Sequence, residues 1–153
     1  MQLPNILTVE RTYCDAPGSS KKRLLETISE FICNDISAFD AEELFQRLKA
    51  RERLGSTGIG HGIAIPHCRV PNCITITGAL FKLKQAIDFD AIDNQPVDLF
   101  FVLLVPEEAC DQHLQALSLL AEQFNNQDYC QSLRDASSNQ ELFDAAINIV
   151  TSA

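Results

Sequence analysis

Three histidines occur in the chain, His61, His67 and His113, and His67 has the setting best suited to nucleophilic chemistry. It closes the run Gly62-Ile-Ala-Ile-Pro-His67, directly after a segment, GSTGIGHG, that holds four of the chain's six glycines. An imidazole that accepts a phosphoryl group must be neutral near pH 7. One ring nitrogen must be free to attack, and the other must donate a hydrogen bond that fixes the tautomer. A histidine after a short strand and a proline is expected at a sheet edge with its ring exposed. The neighbouring glycines lack side chains, which lets a partner's phosphoryl group approach. The bland alternative is a loop histidine with no role, and spacing alone leaves both readings open.

Other residues could assist. The hydroxyls of Ser56 and Thr57 and the backbone N–H groups around Gly58, Gly60 and Gly62 could hold phosphoryl oxygens; otherwise the segment is a flexible turn. It lacks the GxxxxGK[ST] order of a nucleotide P-loop. Arg51 stands just before this segment and could return to offset a phosphoryl charge bidentately, or be an exposed member of the charged run KARER. His113 falls in the first turn of a predicted helix, where N–H groups favour anions and a neutral ring; it could also be a plain surface residue. His67, Cys68 and Cys73 fit no common metal spacing, so no metal is expected. Ser56 has no GxSxG nucleophile elbow around it, which argues against a hydrolase. No cofactor is implied.

These residues must be carried by elements that can be read from pattern. Ser19 or Ser20 can cap a helix to about Cys33, with Leu24, Leu25, Ile28, Phe31 and Ile32 on one stripe. Asp40, three residues before Glu43, caps a second helix that buries Leu44, Phe45 and Leu48 and ends between Arg51 and Leu54. Ile63–Ile65 reads as a short strand stopped by Pro66. Ile74, Ile76, Ala79, Phe81 and Leu83 read as a strand whose apolar face switches near Gly78, through a bulge or burial on both faces. The unbroken apolar run Leu99–Val105 reads as a central strand covered on both sides. Helices follow over Leu114–Phe124, Asp128–Asp135 and, from the capping box Ser138/Glu141, to about Ile149. The sum is an α/β sandwich in one domain over residues 1–153, a mixed β-sheet flanked by helices on both faces.

Composition sets limits on function. The 153 residues are 46% hydrophobic and 22% charged, ordinary for a globular chain able to bury a core. The net charge of −9 leaves no basic stripe for nucleic acid. The lone basic run, Lys21-Lys22-Arg23, reads as a solvated helix start. No segment approaches the roughly 18 apolar residues of a membrane span. MQLPNILTVERT lacks a secretory pattern, so the expected location is the cytoplasm. There the six cysteines stay reduced, and Cys14, Cys33 and Cys130 serve as small, partly buried hydrophobes.

The run RERLGSTGIGHGIAIPH, Arg51 to His67, resembles the active-site signature of the type-2 IIA domains of the bacterial phosphoenolpyruvate:sugar phosphotransferase system. AFDAEELFQRLKARERLGSTGIG and FDAIDNQPVDLFFVLLVP resemble its nitrogen-regulatory subgroup, and the likeness runs from about Leu3 to Ile149. The resemblance implies a mixed sheet flanked by helices. It makes His67 the phosphoryl acceptor, on Nε2, from an HPr-like phosphohistidine carrier. It makes Arg51 an active-site arginine and His113 the second active-site histidine. It implies a regulatory phosphocarrier whose phosphorylation state controls partners such as potassium transporters or sensor kinases. The alternatives are a sugar-permease subunit passing phosphate to a IIB domain, and a binding module that is never phosphorylated. Two positions depart from the family pattern: His61 stands where Asn is usual, and Cys68 where a glycine commonly follows the Pro-His pair.

Overall fold

The computed structural model describes residues 3–108 and 112–148, the side chain of Gln112 excepted. After two short 3-10 turns come β1 (Thr12–Ala16), α1 (Lys21–Asp35), α2 (Ala41–Leu54), β2 (Gly58–Gly60), β3 (Ile63–Ala64) and β4 (His67–Val70). Then follow β5 (Thr77–Ile87), β6 (Val97–Pro106), α3 (Gln112–Phe124), α4 (Gln127–Asp135) and α5 (Asn139–Ile147). Four of the described helices begin at a side-chain cap. Ser20, Asp40, Asn126 and Ser138 each accept the backbone N–H three residues on, satisfying a donor the helix leaves open.

The six strands form one mixed sheet in the order β1-β5-β6-β3-β2, with β4 also beside β6. β5 and β6 are antiparallel, and β1 runs parallel to β5. β3 and β4 lie parallel to β6 in one continuous register, Ile63 opposite Leu99 and His67 opposite Leu103. Pro66 falls in the gap between them. It has no N–H to give a ladder, but its carbonyl accepts the Leu103 N–H at 2.9 Å, which keeps β4 aligned.

Side chains of β6 alternate between two separate apolar layers. Phe100, Val102 and Leu104 meet α1 and α2; Leu99, Phe101, Leu103 and Val105 meet α3, α4 and α5. Burial on both faces explains the unbroken run LFFVLLV. Each such side chain contributes roughly 1.5–3 kcal/mol by leaving water. The predicted α/β sandwich with helices on both faces is therefore what forms, as are the central strand and every predicted helix.

Several local expectations change. β1 was not anticipated, and α5 reaches Ile147, with Ile149 outside the described residues. β5 starts at Thr77, leaving Ile74 in the loop before it and 90% exposed. The switch near Gly78 reflects burial on both faces: Gly78 through Phe81 are all buried, and a Cβ at Gly78 would meet the Phe101 ring at 2.8 Å. Lys21 is no solvated helix start. Its ammonium pairs with Glu52 at 3.2 Å and Asp90 at 3.4 Å and lies over the Phe89 ring. Five cysteines, Cys14, Cys33, Cys68, Cys73 and Cys130, are free thiols; Cys110 lies outside the described residues.

Candidate functional site

α2 delivers Arg51 in its last turn, just before the chain reverses at Gly55. Gly55 has φ 153°, in the region that disfavours a side chain, so the helix can stop and turn toward β2 there. The Gly55 carbonyl then accepts Arg51 Nη1–H at 2.9 Å. This holds the guanidinium so that Nε–H donates to His67 Nε2 at 3.2 Å. Arg51 is thus not a free member of the charged run.

His67 is the first residue of β4 and lies at the sheet edge, since β4 pairs only with β6. Its ring is half-buried, which corrects the expectation of an exposed imidazole: the α2 terminus folds over it. His67 Nδ1 lies 2.8 Å from the Ile65 carbonyl. A carbonyl can only accept, so Nδ1 carries the proton and Nε2 keeps its lone pair, which meets the Arg51 N–H. Burial holds the pKa of His67 below the usual histidine value. The bond to Ile65 opposes this, the positive Arg51 adds to it, and Glu52 and His113 act in smaller opposing measure. The ring is a neutral imidazole in a fixed tautomer.

His113 arrives from the other side, in the first turn of α3, and is partly buried. Its Nδ1 is shielded from solvent and has no hydrogen-bond partner among the described residues. Arg51, His67 and His113 share one open cleft of about 550 Å³ with Arg47, Cys68 and Arg69, and with Ala50, Leu54 and Val105 as its apolar part. Three guanidinium groups and, among the described residues, no carboxylate line it, so it favours an anion although the chain is acidic overall. The cleft opens where the two helical layers meet at the end of the sheet: α2 belongs to one layer and α3 to the other. Cys68 is mostly covered, and burial pushes its thiol up to about 12.

The glycine-rich segment lies outside this cleft. The Thr57 N–H donates to both Glu52 carboxylate oxygens, at 3.1 and 3.0 Å. Ser56 Oγ donates to the Phe89 carbonyl at 2.8 Å and accepts the Gly58 N–H at 3.0 Å. Thr57 Oγ1 is buried without a partner. Gly58 packs on Ala91, Gly60 faces Asp93, and Gly62 faces Arg134 and Asp98. His61 has φ 58°; its N–H donates to Asp93 at 3.0 Å and its carbonyl accepts Arg134 Nη2–H at 2.8 Å. It lines a second cleft with Arg134 and Cys130, apart from His67.

Sequence reasoning passed over Arg47, Arg69 and Glu52. Glu52 carried a signal: an acid in the last turn of a helix opposes the macrodipole and calls for a reason. Spacing could have marked the other two: Arg47 lies four residues before Arg51 on α2 and Arg69 two residues after His67 on β4, each pair on one face of its element.

Comparison with known proteins bears on this geometry. The family model described as phosphoenolpyruvate-dependent sugar phosphotransferase system, EIIA 2, matches residues 5–148. The chain is 44% identical over 149 residues to a nitrogen regulatory protein of Pseudomonas aeruginosa, covering 97% of each. The crystal structure of the nitrogen regulatory protein IIA-Ntr from Neisseria meningitidis superposes with a TM-score of 0.85 at 39% identity, covering 93% of this chain and 97% of that one. IIA mannitol from Escherichia coli shares the fold, with a TM-score of 0.74 at 16% identity over 92% of this chain and 98% of that one.

Proposed function

The chain belongs to the EIIA 2 family of the phosphoenolpyruvate-dependent sugar phosphotransferase system, and from that premise we propose that it is a regulatory phosphocarrier of the cytoplasm. His67 accepts a phosphoryl group on Nε2 from an HPr-like phosphohistidine protein. The phosphorylated and free forms then bind different partners, such as potassium transporters or sensor kinases. The observation that carries this reading is the His67 ring itself: Nδ1–H anchored on Ile65 and an unprotonated Nε2 whose lone pair meets Arg51 in a cationic cleft.

The chemistry follows from that arrangement. The Nε2 lone pair forms the new N–P bond as the donor's P–N bond breaks and its electron pair returns to the donor imidazole. The Nδ1–H···O=C bond keeps the proton off the attacking nitrogen and steadies the charge that develops on the ring. Arg51 leaves Nε2 for the phosphoryl oxygens, where its fork suits bidentate contact. His113 faces the same oxygens from α3. A doubly charged group in this cleft alters the surface that partners meet.

Incubation with phosphoenolpyruvate, an Enzyme I-type kinase and an HPr-type carrier should label the protein with acid-labile, alkali-stable phosphate, and His67→Ala should abolish it. Labelling that survives His67→Ala moves the acceptor to His61 or His113. A wild type that no carrier pair labels favours a binding module, and rapid passage of phosphate to a sugar-specific IIB domain favours a permease subunit. Pull-downs with wild type, His67→Ala and His67→Glu identify the partners.

A further inference from the structure

Glu52 is buried, at 8% exposure, among the described side chains of a helix end. Two costs attend it. A carboxylate in the last turn of a helix faces the negative end of the macrodipole, and a buried charge loses its hydration. Three contacts offset them: the Thr57 N–H reaches both oxygens, and the Lys21 ammonium lies 3.2 Å away. A neutral amide offers a single acceptor oxygen and no charge for the Lys21 ammonium, so it would hold the turn less firmly than the carboxylate does.

The consequence of the clamp is felt next door. Glu52 adjoins Arg51, and the turn it pins, residues 55–57, includes the carbonyl that holds Arg51 Nη1. If Thr57 is released, the Gly55 carbonyl is free to rotate, and Arg51 Nε–H no longer has a fixed line to His67 Nε2. Lys21 extends the brace to α1, and its second partner, Asp90, with the Phe89 ring beneath, extends it to the 88–90 segment.

We propose that Glu52 and Lys21 are positioning residues for phosphoryl transfer: the buried Glu52, paired with Lys21, clamps the Thr57 N–H, and through the Gly55 carbonyl sets Arg51 against His67. This rests on the reading of His67 as phosphoryl acceptor. Glu52 touches neither the acceptor nor the incoming group; apart from a small direct field at His67, it acts through Arg51.

The test compares wild type, Glu52→Gln, Arg51→Ala and the double variant in single-turnover phosphorylation by an HPr-type phosphocarrier, with the Arg51 Nε–H signal followed by ¹⁵N NMR. Glu52→Gln should lower the maximal rate roughly tenfold, leave the donor KM unchanged and remove the exchange protection of Arg51 Nε–H. In the Arg51→Ala background the same change should have no further effect on rate. Equal losses in both backgrounds, or an unaltered Arg51 Nε–H signal in Glu52→Gln, overturn the proposal. Should Glu52→Gln not fold, Lys21→Met takes its place, with the same expected and overturning results. A wild type that is never labelled overturns the phosphocarrier reading, while the NMR comparison still decides whether Glu52 sets Arg51.

Discussion

Gly62→Ala separates an anchoring role for the glycine-rich segment from a phosphoryl-binding one. Gly62 has φ 80°, and forcing an L-residue into that region costs about 1–2 kcal/mol. An added Cβ would also lie 2.6 Å from Arg134 Nη2 and 3.0 Å from Asp98 Oδ1. The guanidinium must withdraw, straining its bonds to the His61 carbonyl at 2.8 Å and to Asp98 at 2.9 Å. Arg134 and Asp98 are 29% and 25% exposed, so water compensates in part and this loss is about 1 kcal/mol. The sum is about 2–3 kcal/mol, which for a chain of this size lowers the melting temperature by roughly 4–12 °C. Differential scanning calorimetry measures it. In an Arg134→Ala background the guanidinium clash disappears and the Asp98 carboxylate, freed of its partner, can shift away, so that mainly the conformational cost of about 1–2 kcal/mol should remain. A fall below about 2 °C in the otherwise wild-type chain would refute the reasoning. Well below the melting transition, Gly62→Ala should be phosphorylated within about twofold of wild type. A hundredfold loss there would return the segment to phosphoryl binding.

Three further outcomes are expected. Burial depresses the pKa of folded His67 below the unfolded value of about 6.5, so protonation favours the unfolded chain, and stability present above that pH is lost as pH falls through the folded value. Urea denaturation at pH 7 and pH 5 should therefore show a smaller acid loss for His67→Gln than for wild type. The Cys68 thiol, raised to about 12, should resist iodoacetamide at pH 8 in the native protein and react once urea unfolds it; rapid native labelling, read by mass spectrometry, would contradict its burial. His61→Gly relieves a left-handed non-glycine residue, worth about 1–2 kcal/mol, against a glycine entropy cost of about 0.5–1 kcal/mol, and should raise stability by up to about 1 kcal/mol in chemical denaturation with phosphorylation unchanged.

The sheet and helices were legible because their signals are local and repeated. Caps at Ser20, Asp40 and Ser138, the stripes of α1 and α2 and the unbroken run of β6 each satisfy a rule within a few residues. β1 escaped because Thr12-Tyr-Cys-Asp-Ala has no clean alternation; its burial is set by β5 on one side and by α5. At the site, residue chemistry nominated His67, Arg51 and His113, and the fold brings them to one cleft. Their resemblance-based roles sharpened a choice that spacing left open. Glycine content was a poor guide to direction. It reported that the 55–62 backbone is unusual, but the cause is close packing on Ala91, Asp93 and Arg134 rather than proximity to His67. The Glu52–Lys21 brace could not be read, because it joins residues 31 apart in sequence, at the start of α1 and the end of α2, through a salt bridge that only the packed structure defines.

That the cleft lies where the two helical layers meet has a practical use. A cut in the exposed 92–95 turn would leave His67 and Arg51 on one fragment and β6 with His113 on the other. β6 must slot between β5 and the β3–β4 line before either fragment has a complete sheet. Neither piece alone carries the full acceptor site, so phosphohistidine would form only where two separately expressed halves have met. Fused to candidate binding proteins, such halves would record an encounter as a covalent, acid-labile mark.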